Sequence, residues 1–164
     1  MGDRFGSVIV RPFVSEDAEA VVTMMKELAA FHDDVALATV SDVVRFASGA
    51  DRISEILLAA LYGEICGFAA TYNWMNYVHG FPVCNIDLFF VKESRRRHGI
   101  GRALLKRIVC DARSSACQRV TVGAEDGNVS ANAFYQKMGF ALRSPASKRY
   151  ALSGEALDRL TDDT

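Results

Sequence analysis

The sequence contains no apolar run of the ~18 residues that a membrane span requires. Its first dozen residues carry Asp3 and two arginines, and they lack the apolar core and small-residue cleavage site of a signal peptide. A cytoplasmic location is the expectation. An excess of charge of either sign is also missing: 19 basic and 20 acidic side chains leave a net charge of −1. That excludes a whole-chain basic field of the kind that gathers nucleic acid, so an anionic ligand has to be met by a local basic site. Metal-ligand spacing is absent too. Cys66, Cys84, Cys110 and Cys117 form no C-x-x-C pair, and His32, His79 and His98 are scattered. No metal is expected, and the cysteines read as reduced, mostly buried thiols. No repeat, low-complexity stretch or linker divides the chain, which predicts one domain over residues 1–164 with a loose polar tail after Gly154.

What is present is an ordinary globular balance, 50% hydrophobic and 24% charged. Residues 7–12 are β-branched and end at proline, as a strand would. Ser15 offers an N-cap, Glu16, Asp17 and Glu19 load the first turn, and Val21, Met24, Met25, Leu28 and Phe31 recur at helical spacing to about His32. A shorter helix is expected after Ser41, through Val43, Val44 and Phe46, ending near Gly49. Residues 56–62 and 65–72 flank Gly63-Glu64 as a hairpin. Residues 73–82, with glycine, proline and several aromatics, read as a loop, and residues 85–91 as the next strand. Gly99 opens a long helix with Leu104, Leu105, Ile108, Val109 and Ala112 on one face and Arg102, Lys106, Arg107, Asp111 and Arg113 on the other. A strand over 120–124, a helix over 128–138 stopped by Gly139 and a last strand around 149–152 complete the pattern. The order β-α-α-β-β-β-α-β-α-β predicts an α/β architecture: a mixed sheet with helices on both faces.

The segment Ile86-Asp87-Leu88-Phe89-Phe90-Val91-Lys92-Glu93-Ser94-Arg95-Arg96-Arg97-His98-Gly99-Ile100-Gly101-Arg102 is the most informative. A hydrophobic strand feeds a basic, glycine-containing turn that opens an amphipathic helix. The first amides of a helix have no internal partner, and the helix dipole adds positive character there. Gly99 and Gly101 admit a phosphate close to the backbone, and Arg96, Arg97 and Arg102 add charge. A P-loop is excluded because no lysine follows Gly101, and a dinucleotide fingerprint because Leu104 stands where a third small residue belongs. The loop by itself is equally compatible with a solvated basic turn capping a helix.

Arg96-Arg97-His98-Gly99-Ile100-Gly101 resembles the acetyl-CoA loop of the GNAT superfamily of N-acetyltransferases, [QR]-x-x-G-x-[GA]. Val10-Arg11-Pro12 followed by Asp17 resembles that family's first strand and helix start. Asn128-Val129-Ser130-Ala131-Asn132-Ala133-Phe134-Tyr135-Gln136-Lys137-Met138-Gly139-Phe140 resembles its more specific N-x-x-A-x-x-[FL]-Y-x-[KR]-x-G-F segment. The resemblance spans roughly residues 8–152. It departs at Lys92, where proline is common, and at Arg97, where glycine is common. It implies a mostly antiparallel sheet, acetyl-CoA as co-substrate, direct attack by an amine in a ternary complex and, in many members, a homodimer.

The resemblance also implies roles. Backbone groups near Phe89, Phe90 and Val91 would hold the pantetheine arm, with the Val91 amide facing the oxyanion. Residues 96–102 (Arg96, Arg97, His98, Gly99, Ile100, Gly101 and Arg102) would take the pyrophosphate, and Asn128 would touch the pantetheine or order the adjacent loop. Tyr135 is the candidate acid for the leaving thiolate; as an alternative it is an aromatic packing its helix on the sheet. Asp87 is the candidate base, the lone charge in an apolar strand. Strict alternation puts it with Phe89, opposite Ile86 and Leu88, unless a bulge resets the strand. An isolated buried carboxylate needs a partner or a task, so pairing to an arginine is the alternative.

Leu28-Ala29-Ala30-Phe31-His32-Asp33-Asp34 resembles the L-A-x-[FY]-E segment of spermidine/spermine-type enzymes, with His32 in place of the acid. Asp33 and Asp34 are candidates for attracting a cationic acceptor or are a solvated loop. Trp74, Tyr77 and His79 are candidates for covering the acceptor or are packing. The leading expectation is a small-molecule amine N-acetyltransferase for a polyamine, diamine or amino-acid-like acceptor. Alternatives are peptide N-terminal or lysine acetylation, against which an aromatic loop at 74–81 would count, and a non-catalytic acetyl-CoA sensor.

Overall fold

The computed structural model describes residues 7–142; the strand expected around 149–152 and the polar tail lie outside the described residues. The chain divides into two compact units, Met1–Ala124 and Glu125–Thr164, taken in turn below.

The first unit is built on five strands, β1 (Ile9–Pro12), β2 (Glu55–Leu61), β3 (Glu64–Asn76), β4 (Phe81–Val91) and β5 (Arg119–Val122), arranged side by side in chain order. The first three pairings are antiparallel and β4–β5 is parallel. A parallel neighbour requires a crossover, and helix α3 (Ile100–Ser114) supplies it. Helices α1 (Ala18–Phe31) and α2 (Val40–Ala47) connect β1 to β2. The α/β architecture and the mixed, mostly antiparallel sheet are as expected.

Both faces of the sheet are covered. Val21 and Met24 of α1 and Val43 of α2 pack with Ile56, Leu58, Phe68, Ala70 and Phe90. On the other face α3 buries Ile100, Leu104, Leu105, Ile108 and Ala112, next to Leu57, Thr71 and Cys84. Val109, expected on this stripe, is exposed instead. Phe31, expected on the core stripe of α1, is also exposed.

Two helix starts differ from expectation for electrostatic reasons. Ser15 does not cap α1. It opens a 3₁₀ turn (Ser15–Asp17), and the Asp17 carboxylate accepts from Val14 N–H at 2.9 Å and from both Arg11 terminal nitrogens at 2.7 and 2.8 Å. A carboxylate accepts several such bonds at once where a hydroxyl accepts fewer. The Arg11 hydrogen bonds, foremost, hold the Asp17 carboxyl below its usual range. Helix α2 starts at Val40 because Thr39 is its cap: Asp42 N–H donates to Thr39 Oγ1 at 3.2 Å, and Thr39 N–H donates to the Asp42 carboxylate at 2.9 Å.

The β2–β3 turn is Tyr62-Gly63, with φ of 53° and 80°, one residue before the expected position. Positive φ at both central residues is the type I′ geometry that matches strand twist. Residues 73–82 are not the expected loop. Pairing of β3 with β4 runs from Gly67↔Val91 out to Asn76↔Phe81, leaving only residues 77–80 as the turn. Tyr72, Trp74 and Met75 favour extended backbone, and Gly80, at φ 72°, closes the turn by donating to Asn76 O at 2.8 Å. Pro82 fits because the strand uses its carbonyl, which accepts from Gln118 N–H at 3.1 Å.

One irregularity in β4 positions the site. Thr71 faces Ile86 and Ala70 faces Leu88, so Asp87 has no partner on β3. This is a β-bulge, and it overturns strict alternation. Leu88 and Phe90 pack with the α1/α2 core. Ile86, opposite Thr71, belongs to the α3 face. Ile86 and Leu88 therefore lie on opposite faces.

In the second unit, helix α4 (Val129–Lys137) is capped by Asn128, whose side chain accepts from Ala131 N–H at 3.1 Å. It stops at Gly139, at φ 91°. Tyr135 is buried there between Phe134 and Phe140, with ring centroids 5.4 and 5.6 Å away.

Candidate functional site

Strand β4 changes character at Asp87. From Val83 to Ile86 it is paired on both sides, ending at Ile86↔Val122 on β5. Beyond Ile86, among the described residues, only β3 pairs with it. Lys92 N–H donates to Cys66 O at 2.9 Å. In an antiparallel pair the backbone bonds of successive residues alternate in direction, so Leu88 and Phe90 also bond toward β3 while Phe89 and Val91 direct N–H and C=O the other way, where β5 has ended. Arg96 confirms the direction: its Nε donates to Val91 O at 3.1 Å. The Val91 N–H faces the same gap.

Asp87 is exposed at the bulge. It is not the buried carboxylate anticipated, because the bulge turns it out of the ladder. Among the described residues it forms neither hydrogen bond nor ion pair, so the alternative of a structural partner for an arginine has no support in the described contacts.

The turn after β4 is shaped by its own side chains. A 3₁₀ turn (Glu93–Arg95) leads to Arg96. Arg97 follows at φ 68° and Gly99 at φ 80°. Left-handed backbone is natural for glycine and costs a side-chain-bearing residue roughly 1 kcal/mol, which accounts for glycine being common where Arg97 stands. His98 Nδ1 lies 2.8 Å from Arg96 O and 3.2 Å from Arg95 O. Both neighbours are acceptors, so Nδ1 carries the proton. These bonds gather the carbonyls of Arg95 and Arg96 on the imidazole. The first bond into α3 is Ala103 N–H to Gly99 O at 2.9 Å. Among the described residues the six amides from Arg97 to Arg102 donate to nothing. They form an anion cradle at a helix start.

The nearby cations divide into two sets. Lys92 and Arg95 are both paired to Glu64. Arg96 is engaged with Val91 O and lies 5.9 Å over the Phe31 ring. Arg97 and Arg102 are exposed and form no ion pair among the described residues. An unsatisfied amide row with two uncommitted guanidinium groups fits a pyrophosphate.

Other candidates sit apart from this edge or serve the framework. Phe90 is core, 6.2 Å from Phe68, and Ile100 is buried under the sheet. Asp33 is exposed with φ 52°, and Asp34 accepts from Val35 N–H at 2.7 Å. Trp74 is on β3 opposite Val83, ~13 Å along the strand from Ala70 at the bulge; it is 41% exposed. Tyr77 is exposed, and His79 stacks on Phe81 at 5.9 Å. A groove of ≈ 320 Å³ lined by Arg52, Glu55, Thr71, Tyr72 and Asn73 lies ~13–20 Å along β3 from Gly67, beside the loop, and is separate from the cradle. Among the described residues no cluster suited to a metal ion occurs, and no helix is long and apolar enough to cross a membrane.

In the second unit Asn128 acts as a helix cap, with Asn132 Nδ2 donating to its carbonyl at 3.0 Å and to Glu125 O at 2.8 Å. Burial pushes the Tyr135 phenol up to about 12. Glu64 is a residue that sequence reasoning missed. It lies 28 and 31 residues from its two partners, and no local pattern marks it.

Comparison with known proteins agrees with this geometry. The family model described as Acetyltransferase (GNAT) family matches residues 22–140. No curated protein matches the sequence. Among solved structures, an integron cassette protein from the mobile metagenome of V. cholerae is 23% identical, covering 94% of this chain and 98% of its own, with a TM-score of 0.77. An aminoglycoside acetyltransferase from an uncultured soil metagenomic sample, in complex with sisomicin, is 16% identical over 89% of this chain and 97% of its own, with a TM-score of 0.74. A ribosomal-protein-alanine N-acetyltransferase from Brucella melitensis biovar Abortus 2308 is 20% identical over 90% of this chain and 100% of its own, with a TM-score of 0.71. At these identities the likeness is one of fold. With the family model covering most of the chain, a bulged fourth strand and an amide cradle opening the next helix, the chain belongs to the GNAT family and is an acyl-CoA-dependent N-acetyltransferase, with acetyl-CoA as the family's co-substrate.

Proposed function

We propose that this protein transfers the acetyl group of acetyl-CoA to a primary amine of a small molecule, a polyamine, diamine or amino-acid-like compound. The transfer proceeds by direct attack in a ternary complex, as in the diamine acetyltransferase branch. The observation that carries the reading is the bulge that sets an exposed Asp87, without a side-chain partner among the described residues, just past the last β4–β5 pair.

The thioester supplies an acyl group already activated toward amines. The chain's own residues bind, orient and move protons. Amides 97–102 with Arg97 and Arg102 bind the pyrophosphate. The Phe89–Val91 edge receives the pantetheine arm, and Val91 N–H donates to the carbonyl oxygen as charge develops. An amine is mostly protonated at neutral pH. Asp87 takes that proton, directly or through one water, and the nitrogen lone pair forms the C–N bond as C–S breaks. Tyr135 O–H gives its proton to the departing thiolate. Its raised pKa keeps it protonated throughout the physiological range. Asn128 acts at one remove, by ordering α4. Asp33 and Asp34 attract the cationic acceptor, and Trp74 borders it.

The test is release of free CoA thiol from acetyl-CoA with spermidine, putrescine, lysine analogues, aminoglycosides and short peptides, alongside Tyr135→Phe and Asp87→Asn. Amine-dependent release that collapses in both variants supports the reading, and the best acceptor defines the substrate class. Acetyl-CoA binding without release on any amine would replace it with the sensor reading. Sedimentation of the purified protein tests the homodimer. Peptide amines remain the second reading, because residues 73–82 form a ribbon with Tyr72 and Trp74 exposed instead of the covering loop that would close a peptide groove.

A further inference from the structure

We propose that Glu64 is a positioning residue for acetyl-CoA: from the β2–β3 turn it clasps both ends of the 3₁₀ turn that leads into the amide cradle. This rests on the assignment of that cradle to the pyrophosphate. Glu64 Oε1 accepts from Lys92 Nζ at 3.2 Å, and Oε2 accepts from Arg95 Nη2. One carboxylate thus spans residues i and i+3 of a turn whose backbone closes by Arg95 N–H to Lys92 O at 2.9 Å. The anchor is itself fixed. Glu64 follows directly on the type I′ pair Tyr62-Gly63 and is paired with Leu61.

The consequence runs along the chain. Arg95 is the last residue before the stretch in which every conformation is special: Arg96 with its guanidinium turned back on Val91, Arg97 left-handed, His98 bonded to the carbonyls of residues 95 and 96. Where the Arg95 carbonyl points decides whether His98 can gather both oxygens, and so which way the following amides face. The clasp also selects charge. It occupies Lys92 and Arg95, while Arg97 and Arg102, at the mouth of α3, have no ion pair among the described residues. The carboxylate stays ionised well into acid because Arg95 first, and Lys92 second, hold it below its usual range.

The proposal makes a prediction opposite in sign to simple electrostatics. Glu64→Gln preserves shape and removes one negative charge from the neighbourhood of an anion site. If only the local field mattered, acetyl-CoA would bind more tightly. If the clasp positions the cradle, it binds more weakly, by about three- to tenfold for two exposed contacts. The experiment is calorimetric titration of the full chain with acetyl-CoA, no acceptor present, at low and high salt, with steady-state kinetics on the best amine and a thermal melt of each variant. The expected result is a weaker Kd and a higher KM for acetyl-CoA in Glu64→Gln, with kcat at saturation within about twofold of the parent. Glu64→Asp, which keeps the charge, should retain more affinity than Glu64→Gln, and high salt should narrow the gap between parent and variant. Lys92→Gln, cutting one arm, should give a smaller loss. Unchanged or tighter binding by a folded Glu64→Gln overturns the clasp while leaving the cradle intact. A parent protein that binds no acetyl-CoA overturns the cradle assignment, and the clasp with it.

Discussion

The two halves of β4 share one strand and almost nothing else. From Phe81 to Ile86 every residue has a partner on β3, and the last four also pair with β5. Val83, Cys84 and Ile86 are buried. From Asp87 to Val91 no described strand pairs on the β5 side, and beyond lies a turn of exposed arginines and of amides that donate to nothing among the described residues. The first half holds the sheet together; the second presents backbone groups outward. Ile86 and Asp87, adjacent in sequence, sit on either side of that division. Stability and chemistry are therefore separable by substitutions one residue apart.

The sharpest test of the division is Asp87→Asn. Loss of the proposed general base should lower kcat by about 10²–10⁴-fold, while the melting temperature should not move, because Asp87 has no side-chain partner among the described residues. Equal falls in activity and melting temperature would erase the distinction. Ile86→Ala should do the reverse: removal of a side chain 2% exposed costs about 2–5 kcal/mol, read from chemical denaturation, with kcat of the folded fraction nearly preserved. Arg97→Gly probes the turn beyond the second half. It relieves left-handed strain worth roughly 1 kcal/mol but removes an uncommitted cation, so stability should rise slightly while acetyl-CoA Kd weakens a few-fold; a gain in both would show that the arginine contributes nothing to the anion. The smallest effect is a silence. Burial pushes the Cys84 thiol up to about 11, so below that pH it stays a thiol. Of the four cysteines only Cys110 is exposed, and a disulfide reagent at pH 8 should modify one fast-reacting thiol, with Cys84 inert until the first half of β4 unfolds.

Where the chemistry is local in sequence, the sequence is readable. The stripe of Leu104, Leu105 and Ile108 in α3, the helix stopped by Gly139 and the run from Arg96 to Arg102 each involve residues within one or two turns of one another, and the structure places them in the expected elements. What escaped reading depends on pairing between distant segments. A period of two in β4 does not say which residue is extra; the Ala70–Thr71 step on β3 decides that. Glu64 is joined to Lys92 and Arg95 only once the β2–β3 turn has formed beside the end of β4. Residues 73–82 were misjudged because Gly80 and Pro82 signal a loop, although only four residues are needed to turn and the aromatic residues before them prefer a ladder. Ser15 does not cap α1, because the Asp17 carboxylate ties the preceding turn to Arg11 and Val14, and α2 begins ahead of Ser41, because Thr39 and Asp42 cap each other.

Counted against β3, strand β4 holds one residue more than pairing requires. Thr71 and Ala70 are consecutive, while Ile86 and Leu88 are not. Excise Asp87 and each remaining neighbour keeps its partner and its face, so the ladder closes without a seam. The carboxylate therefore stands in this sheet as a residue added to the ladder and not as one of its paired positions. The strand pairing does not use the supernumerary residue to which the proposed mechanism gives the proton.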